Sequence, residues 1–154
     1  MSILFKHAMT PVIHQPENAS YRPCFGGLSE CFLNSKQTNG WLSAWFMLIP
    51  PDNGPPPHIH HREDEILIVM EGRFAFYTEG RWIEGGPGTA VYLPRKQPHS
   101  FLNVGTTTGK ICVLATPAGL ESFFPQCEKP FHRPEGPDME AITEIAAEHG
   151  IEFV

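Results

Sequence analysis

The sequence has few basic residues and no long hydrophobic segment. Lysine and arginine total 11 against 17 acidic residues, which gives a formal net charge of −6 at pH 7. A nucleic acid or an anionic membrane needs a basic face, so this balance argues against either as a partner. No apolar run reaches the ~20 residues that a membrane-spanning helix requires.

The sequence also lacks the spacings of a cysteine-based metal site and the features of a secretory leader. Its four cysteines, Cys24, Cys31, Cys112 and Cys127, form neither a CxxC pair nor a zinc-finger pattern. The short apolar start is interrupted by Lys6 and His7, and no clear cleavage site follows it. These absences favour free thiols in a cytoplasmic protein.

What the sequence does have is turns. The chain contains 16 prolines and 14 glycines in 154 residues, a length that suits one domain. Between residues 28 and 116, short apolar segments alternate with turn signals, of which Asn39-Gly40 is the strongest hairpin signal. This spacing predicts an all-β antiparallel sandwich or barrel.

The two ends of the chain follow different patterns. Residues 1–20 are predicted to form an arm that packs on the barrel or on a partner subunit. Residues 118–154 are predicted to form a helical extension, with a short helix at 118–126. A second helix is expected to begin at Pro137-Asp138 and end at Gly150. Its apolar face would consist of Met139, Ile142, Ile145 and Ala146.

A cluster of ionisable residues occurs in the segment PPPHIHHREDE, residues 55–65. Residues two apart in a strand face the same side, so His58 and His60 would point together. A carboxylate a few residues on, from Glu63, Asp64 or Glu65, could complete a set of metal ligands. Imidazole and carboxylate ligands suit iron, manganese, nickel, copper or zinc.

A second segment, GTAVYLPRKQPHSFLN at residues 88–103, places His99 on another predicted strand. With both segments in view, the sequence resembles the cupins. Their first motif, G(x)5HxH(x)3-4E(x)6G, is matched from the first histidine onward by His58, His60, Glu65 and Gly72. Their second motif, G(x)5PxG(x)2H(x)3N, is matched by Gly88, Pro94, His99 and Asn103. Two motif glycines are replaced, by Asp52 and by Lys96.

The resemblance implies a double-stranded β-helix, the cupin jelly-roll barrel, over residues 21–117. It also implies that one divalent transition metal is held by His58, His60, Glu65 and His99, and that the protein pairs as a homodimer through exchanged edge strands. Unpaired strand edges need to be covered in any case.

The neighbouring polar residues, His61 to Asp64, are expected to be exposed or to contact the ligands. His7, His14, His132 and His149 have no partner at ligand spacing and are expected at the surface, and Asn103 is expected to make hydrogen bonds at a strand end. Strand alternation predicts several inward side chains, namely Leu67, Val69 and Phe101, with the pairs Phe74/Phe76 and Trp45/Met47. Such walls favour a small apolar or aromatic substrate.

Three functions are compatible with these features. The first is a metal-dependent oxygenase similar to quercetin dioxygenase-like cupins, in which Glu65 is both a ligand and a proton acceptor. The second is a non-redox isomerase, epimerase or lyase, which needs a further base such as Tyr77 or Tyr92. The third is a cupin that binds a small molecule without catalysis. The first is the preferred hypothesis.

Overall fold

A computed structural model describes residues 9–154, and its eleven strands form two antiparallel sheets. The strands are β1 Arg22–Cys24, β2 Gly27–Leu33, β3 Ser43–Ile49, β4 His58–His60, β5 Asp64–Glu71, β6 Phe74–Thr78, β7 Arg81–Gly85, β8 Ala90–Leu93, β9 His99–Asn103, β10 Gly109–Thr116 and β11 Ile151–Phe153. One sheet has the order β1-β2-β3-β10-β5-β8 and the other β11-β4-β9-β6-β7. Within the described residues no strand pair joins the two sheets, so the jelly roll is an open barrel.

The predicted alternation is visible along β5 and β3. Glu65, Leu67 and Val69 are buried between the sheets, whereas Ile66 and Met70 on the same strand are exposed. On β3, Trp45 and Met47 are buried, and so are their partners on β10. The inner faces of the two sheets therefore share one core, as a jelly roll requires.

The predicted hairpin at Asn39-Gly40 is confirmed. Asn39 and Gly40 both have positive φ, at 54° and 80°, and the strands on either side, β2 and β3, pair in antiparallel fashion. The connection between the strands spans residues 34–42, so Asn39-Gly40 forms a turn inside a longer hairpin loop and not a two-residue hairpin turn.

The C-terminal extension holds two helices, α1 at Phe123–Phe131 and α2 at Met139–Glu148. Asp138 caps α2 by accepting a hydrogen bond from the backbone N–H of Ala141, and Gly150 follows the helix with φ of 71°. Ile142 and Ala146 are buried as predicted, but Met139 is exposed. The extension is not only helical, because β11 pairs with β4.

The predicted arm lies only partly within the described residues, since residues 1–8 are outside them. His14 lies against the outer face of the larger sheet, with its ring next to Phe32 and Phe46 and its Nε2 3.0 Å from Glu30. All four cysteines are free thiols. None of the helices in residues 9–154 is long and apolar enough to cross a membrane.

Candidate metal centre

Three histidines and one glutamate converge between the sheets from three different strands. His58 and His60 come from β4, Glu65 from β5 and His99 from β9. All four side chains are buried, and one ligand atom from each lies within 4.8 Å of the other three. The structure thus brings together the four residues that the cupin motifs indicate.

Two of the histidines are held in the same way by the backbone. The Nδ1–H of His58 donates to the carbonyl oxygen of Pro56 at 2.9 Å, and that of His99 donates to the carbonyl oxygen of Gln97 at 3.0 Å. A carbonyl can only accept, so Nδ1 carries a proton in both rings. In both cases the accepting residue is followed by a proline and then the histidine, in the sequences Pro56-Pro57-His58 and Gln97-Pro98-His99.

The remaining contacts centre on the carboxylate of Glu65. Its Oε2 lies 3.2 Å from Nε2 of His60 and 3.1 Å from Nε2 of His99. Glu65 pairs in register with Leu93 and Ala115, so its side chain points from the larger sheet towards the histidines of the smaller one. The two sheets therefore contribute opposite sides of the cluster.

The charges of the cluster depend on burial and on its close neighbours. Burial lowers the pKa of His58, and His60 and His99 lower it further, to about 3. Burial also disfavours charge on His60, but Glu65 and Glu63 outweigh it and raise the pKa of His60 to about 9. Burial would raise the pKa of Glu65, yet His60 and His99 hold it below the usual range. Without a metal, the centre is thus an ion pair of His60 and Glu65 beside a neutral His58.

The donor set fits a divalent transition metal. Three imidazoles and one carboxylate converge in a buried space, where such groups are normally paired or coordinate a metal. His58, with Nδ1 protonated and its pKa lowered to about 3, already presents an unprotonated Nε2 of the kind a metal requires, whereas Nε2 of His99 faces the Glu65 carboxylate. His60 would bind after losing one proton. Four such ligands leave one or two positions open on a metal that prefers five or six.

Glu63 differs from the other residues of its turn. His61 and Arg62 are exposed, and Asp64 bonds Arg95 through both carboxylate oxygens, at 3.0 Å each. Glu63 is only 4% exposed, and its Oε2 lies 3.7 Å from Nδ1 of His60. Neither Glu63 nor Asp64 replaces Glu65 in the cluster.

The other histidines lie apart from the centre. His132 is exposed, as expected. His14 and His149 are half-buried rather than at the surface, because His14 pairs with Glu30 and the His149 ring contacts Phe123 edge-on. His7 lies outside the described residues.

A cavity of about 50 Å³ lies beside the four residues. At the ~10–15 Å³ that one water occupies, it has room for about three or four water-sized groups. Four of the predicted inward residues line it: Trp45, Met47, Leu67 and Phe101. Val69, Phe74 and Phe76 are buried in the core but do not reach the cavity.

Part of the cavity wall comes from residues that the sequence analysis did not connect with the site. Besides Pro55 and Val113, these are Phe25 and five residues of the C-terminal extension, namely Leu120, Phe123, Phe124, Ile151 and Phe153. The Phe123-Phe124 pair in an otherwise polar segment was the sequence feature that could have indicated this part of the wall. Its position over the cavity depends on the contact of α1 with β1, which no local pattern reveals.

The two replaced motif glycines keep the backbone of a glycine. Asp52 has φ of 59° and Lys96 has φ of 67°, both in the left-handed region that favours glycine. The N–H of Lys96 donates to the carbonyl oxygen of His60 at 2.7 Å, so this turn fixes the end of β4. Asn103 is fully buried and donates to the carbonyl oxygens of Ile49 and Thr107, which confirms its predicted structural role.

Comparisons with known proteins agree with the geometry. The family model for the cupin domain matches residues 45–115. An uncharacterized protein of Methanocaldococcus jannaschii is 29% identical over 70 residues, which span 46% of this chain and 56% of that protein. An RmlC-like cupin from Shewanella frigidimarina superposes with a TM-score of 0.63 at 17% identity, over 73% of this chain and 96% of that one. The polyketide cyclase RemF from Streptomyces resistomycificus is 25% identical, with a TM-score of 0.59 over 70% and 80% of the two chains.

The open jelly roll, the two motifs and these matches define a cupin fold with a buried cluster suited to a metal. The chain has the cupin fold, and its residues 45–115 match the family model of the cupin domain.

Proposed function

We propose that this cupin is a metal-dependent oxygenase of the dioxygenase type that acts on a small apolar or aromatic substrate. The observation that carries the proposal is the composition of the cavity wall. Among the described residues, the ionisable side chains that line the cavity are His58, His60, Glu65 and His99, all of them candidate metal ligands. Chemistry in this cavity must therefore come from the metal and its ligands.

Each ligand has a definite role in this proposal. His58 and His99 would bind through Nε2 in the tautomer that their backbone acceptors already fix. His60 would bind through Nε2, and Glu65 through one carboxylate oxygen. A redox-active metal held there would supply the electron chemistry that dioxygen needs.

Glu65 is the proposed catalytic residue. Its carboxylate is buried, and the contacts with His60 and His99 keep it ionised. An ionised carboxylate at the cavity wall can accept the proton of a substrate hydroxyl or enol. Metal ligation through one oxygen leaves the other available for this proton.

The substrate class follows from the other side chains of the wall. Apart from the four polar residues, the lining consists of aromatic, aliphatic, proline and methionine side chains. No lysine or arginine of residues 9–154 lines the cavity, so it lacks a partner for a phosphate. The polarity of this surface favours a substrate with one metal-binding oxygen on an apolar or aromatic body, although wall side chains would have to move for more than a few atoms to enter the cavity of about 50 Å³.

The non-redox alternative has weaker support from the structure. An isomerase or epimerase would need a base besides the ligands, but Tyr92 is 63% exposed and Tyr77 packs against Trp82 away from the cavity. The similarity to a polyketide cyclase favours one non-redox variant, a cyclase or lyase reaction on a polyketide-like precursor. A cupin that binds such a compound without catalysis is the third possibility.

Oxygen consumption distinguishes these functions. Protein loaded with Fe²⁺ or Ni²⁺ would be tested with small β-diketones and thiols, and we expect stoichiometric oxygen uptake with the apolar compounds. Turnover by Zn²⁺-loaded protein without oxygen would favour the non-redox reaction. Tight substrate binding without any turnover would favour the non-catalytic cupin.

We also propose that the protein is a homodimer. The outward positions on β3, β10, β5 and β8 are mostly apolar, although the outer face of an antiparallel sheet normally carries polar residues. These residues are Phe46, Leu48, Cys112, Leu114, Ile66, Ile68, Met70 and Tyr92. A flat apolar sheet face is complementary to its own copy across a twofold axis.

A further inference from the structure

Glu63 is a buried carboxylate in the turn between β4 and β5. Its Oε2 and the Nδ1 of His60 are both buried, and neither has a hydrogen-bond partner within residues 9–154. The two atoms lie 3.7 Å apart. This separation is longer than a hydrogen bond, and a small side-chain rotation would close it. Two unsatisfied polar atoms that face each other in a core need an explanation.

The turn itself holds Glu63 in this position. On one side, His61 donates its backbone N–H to the carbonyl oxygen of Gly150, and its ring contacts Glu152 at 2.7 Å. On the other side, Asp64 accepts hydrogen bonds from the backbone and the guanidinium of Arg95. The neighbours on both sides are thus fixed outside the core, and the backbone between them directs Glu63 inward.

His60 is the one histidine of the cluster that lacks a backbone acceptor for Nδ1 within the described residues. His58 and His99 donate to the carbonyl oxygens of Pro56 and Gln97, but Nδ1 of His60 faces only Glu63. A histidine that binds a metal through Nε2 normally donates Nδ1–H to a carboxylate, a carbonyl or a water, which orients the ring and raises its basicity.

We propose that Glu63 is the positioning residue of His60, because its carboxylate accepts the Nδ1–H of His60 when Nε2 binds the metal. This role rests on the proposed metal binding. It adds a fifth residue to the centre that the four-ligand motif does not contain. Glu63 acts only through His60, since its side chain is not part of the cluster of four convergent ligand atoms.

The role predicts a large effect on metal affinity and a small effect on the stability of the metal-free protein. In the metal-free protein, replacing Glu63 with an apolar side chain of similar volume removes the desolvation cost of a buried, unsatisfied oxygen, which offsets the lost attraction to His60. In the metal-bound protein, the same replacement removes the acceptor of His60. A residue with a merely structural role would instead lower the melting temperature of the metal-free protein.

The test uses Co²⁺ as the probe, with its visible absorption as the readout of ligand geometry. We expect Glu63→Leu to weaken Co²⁺ binding by about 10–100-fold, the range for loss of a hydrogen-bond partner of a metal ligand. The same replacement should change the Co²⁺ spectrum. Glu63→Gln keeps an acceptor oxygen and should lose less than about tenfold. Glu152→Gln, which removes an exposed carboxylate from the same turn contact, is the matched control and should bind Co²⁺ like the wild type.

Two further measurements complete the test. The melting temperature of metal-free Glu63→Leu should stay within about 4 °C of that of the wild type. In Zn²⁺-loaded protein, the downfield proton resonance of His60 Nδ1–H should be present in the wild type and absent in Glu63→Leu.

Wild-type affinity and spectrum in Glu63→Leu would overturn the positioning role and leave the proposed function intact. Equal losses in Glu63→Gln and Glu63→Leu would also overturn it, because charge rather than an acceptor would then matter. Failure of the wild type to bind Co²⁺ would instead overturn metal binding, and the role of Glu63 with it.

Discussion

His58 and His99 are direct partners in register across β4 and β9, and their imidazole rings lie 4.4 Å apart between centroids. The pairing joins the first cupin motif to the second across one sheet. Each ring is fixed by the carbonyl oxygen two residues before it. The centre is therefore assembled by strand pairing, and it depends on both motifs equally.

Replacing His99 with alanine should abolish tight metal binding. The loss of a direct ligand should exceed the ~10–100-fold that loss of an outer partner costs. Equilibrium dialysis with Co²⁺ or Zn²⁺ measures the affinity, and circular dichroism checks that the fold persists. His132→Ala removes an exposed histidine and should bind like the wild type. Equal affinity in His99→Ala and the wild type would contradict the proposed centre.

Metal binding at neutral pH should release about one proton from His60. The pKa of His60 is raised from 6.5 to about 9 in the metal-free protein, so this group is charged at pH 7 and must be neutral to bind. The affinity should rise about tenfold per pH unit up to pH 9 and level off above it. Calorimetry in two buffers of different ionisation enthalpy counts the protons, and a count of zero at pH 7 would refute the prediction.

The side chain of Phe124 should control access to the centre. Phe124 and Trp45, with ring centroids 5.7 Å apart, line both the inner cavity and a surface pocket of about 300 Å³ beside it. Phe124→Ala should therefore connect the two spaces. We expect a chelator to remove the metal at least about tenfold faster from Phe124→Ala than from the wild type.

The control for this experiment lies on the same helix. Phe131 is 9% exposed, as Phe124 is, but it does not line the cavity. Each replacement should lower the free energy of unfolding by no more than the ~3–5 kcal/mol typical of a buried phenylalanine. If chelation were limited by general loosening of the fold, Phe131→Ala would accelerate it equally, and the access role of Phe124 would be wrong.

A glycine at position 96 should stabilise the protein by about 1 kcal/mol. The left-handed φ of Lys96 costs about 1–2 kcal/mol for a residue with a side chain, and glycine avoids this cost. About half of the gain is lost again, because glycine gives up more backbone entropy on folding. Urea unfolding measures the change in the free energy of unfolding. Lys96→Ala retains a Cβ and should show no gain, and a gain in both variants would attribute the effect to the lost charge.

Position 96 also shows how far the sequence predicts the site. The motif spacings identified His58, His60, Glu65 and His99, because strand alternation and turn length determine which side chains meet. The missing glycine left the turn geometry open, and the structure shows that lysine adopts it. Local sequence patterns indicate which backbone conformation a residue prefers. Tertiary contacts, here the hydrogen bond from Lys96 to His60, determine which conformation it adopts.

Long-range contacts account for what the sequence did not predict. β11 follows α2 and pairs with β4, which places Phe153 and Ile151 beside the histidines. A strand of three residues carries no periodicity to detect. The burial of Glu63 likewise depends on Arg95 and Gly150, which hold its neighbours from distant parts of the chain.

The outer face of the larger sheet should be the dimer contact. Ile68 lies at its centre, between Cys112 on β10 and Ala90 on β8. Ile68→Lys places a charge where two apolar faces would meet, so it should convert a dimer to a monomer. Analytical ultracentrifugation measures the mass.

Ile83→Lys makes the same change on the exposed edge strand β7 and should remain dimeric. Metal content per chain should be unchanged in both, because both residues lie outside the cavity wall. A dimeric Ile68→Lys variant, or a monomeric wild type, would contradict this interface.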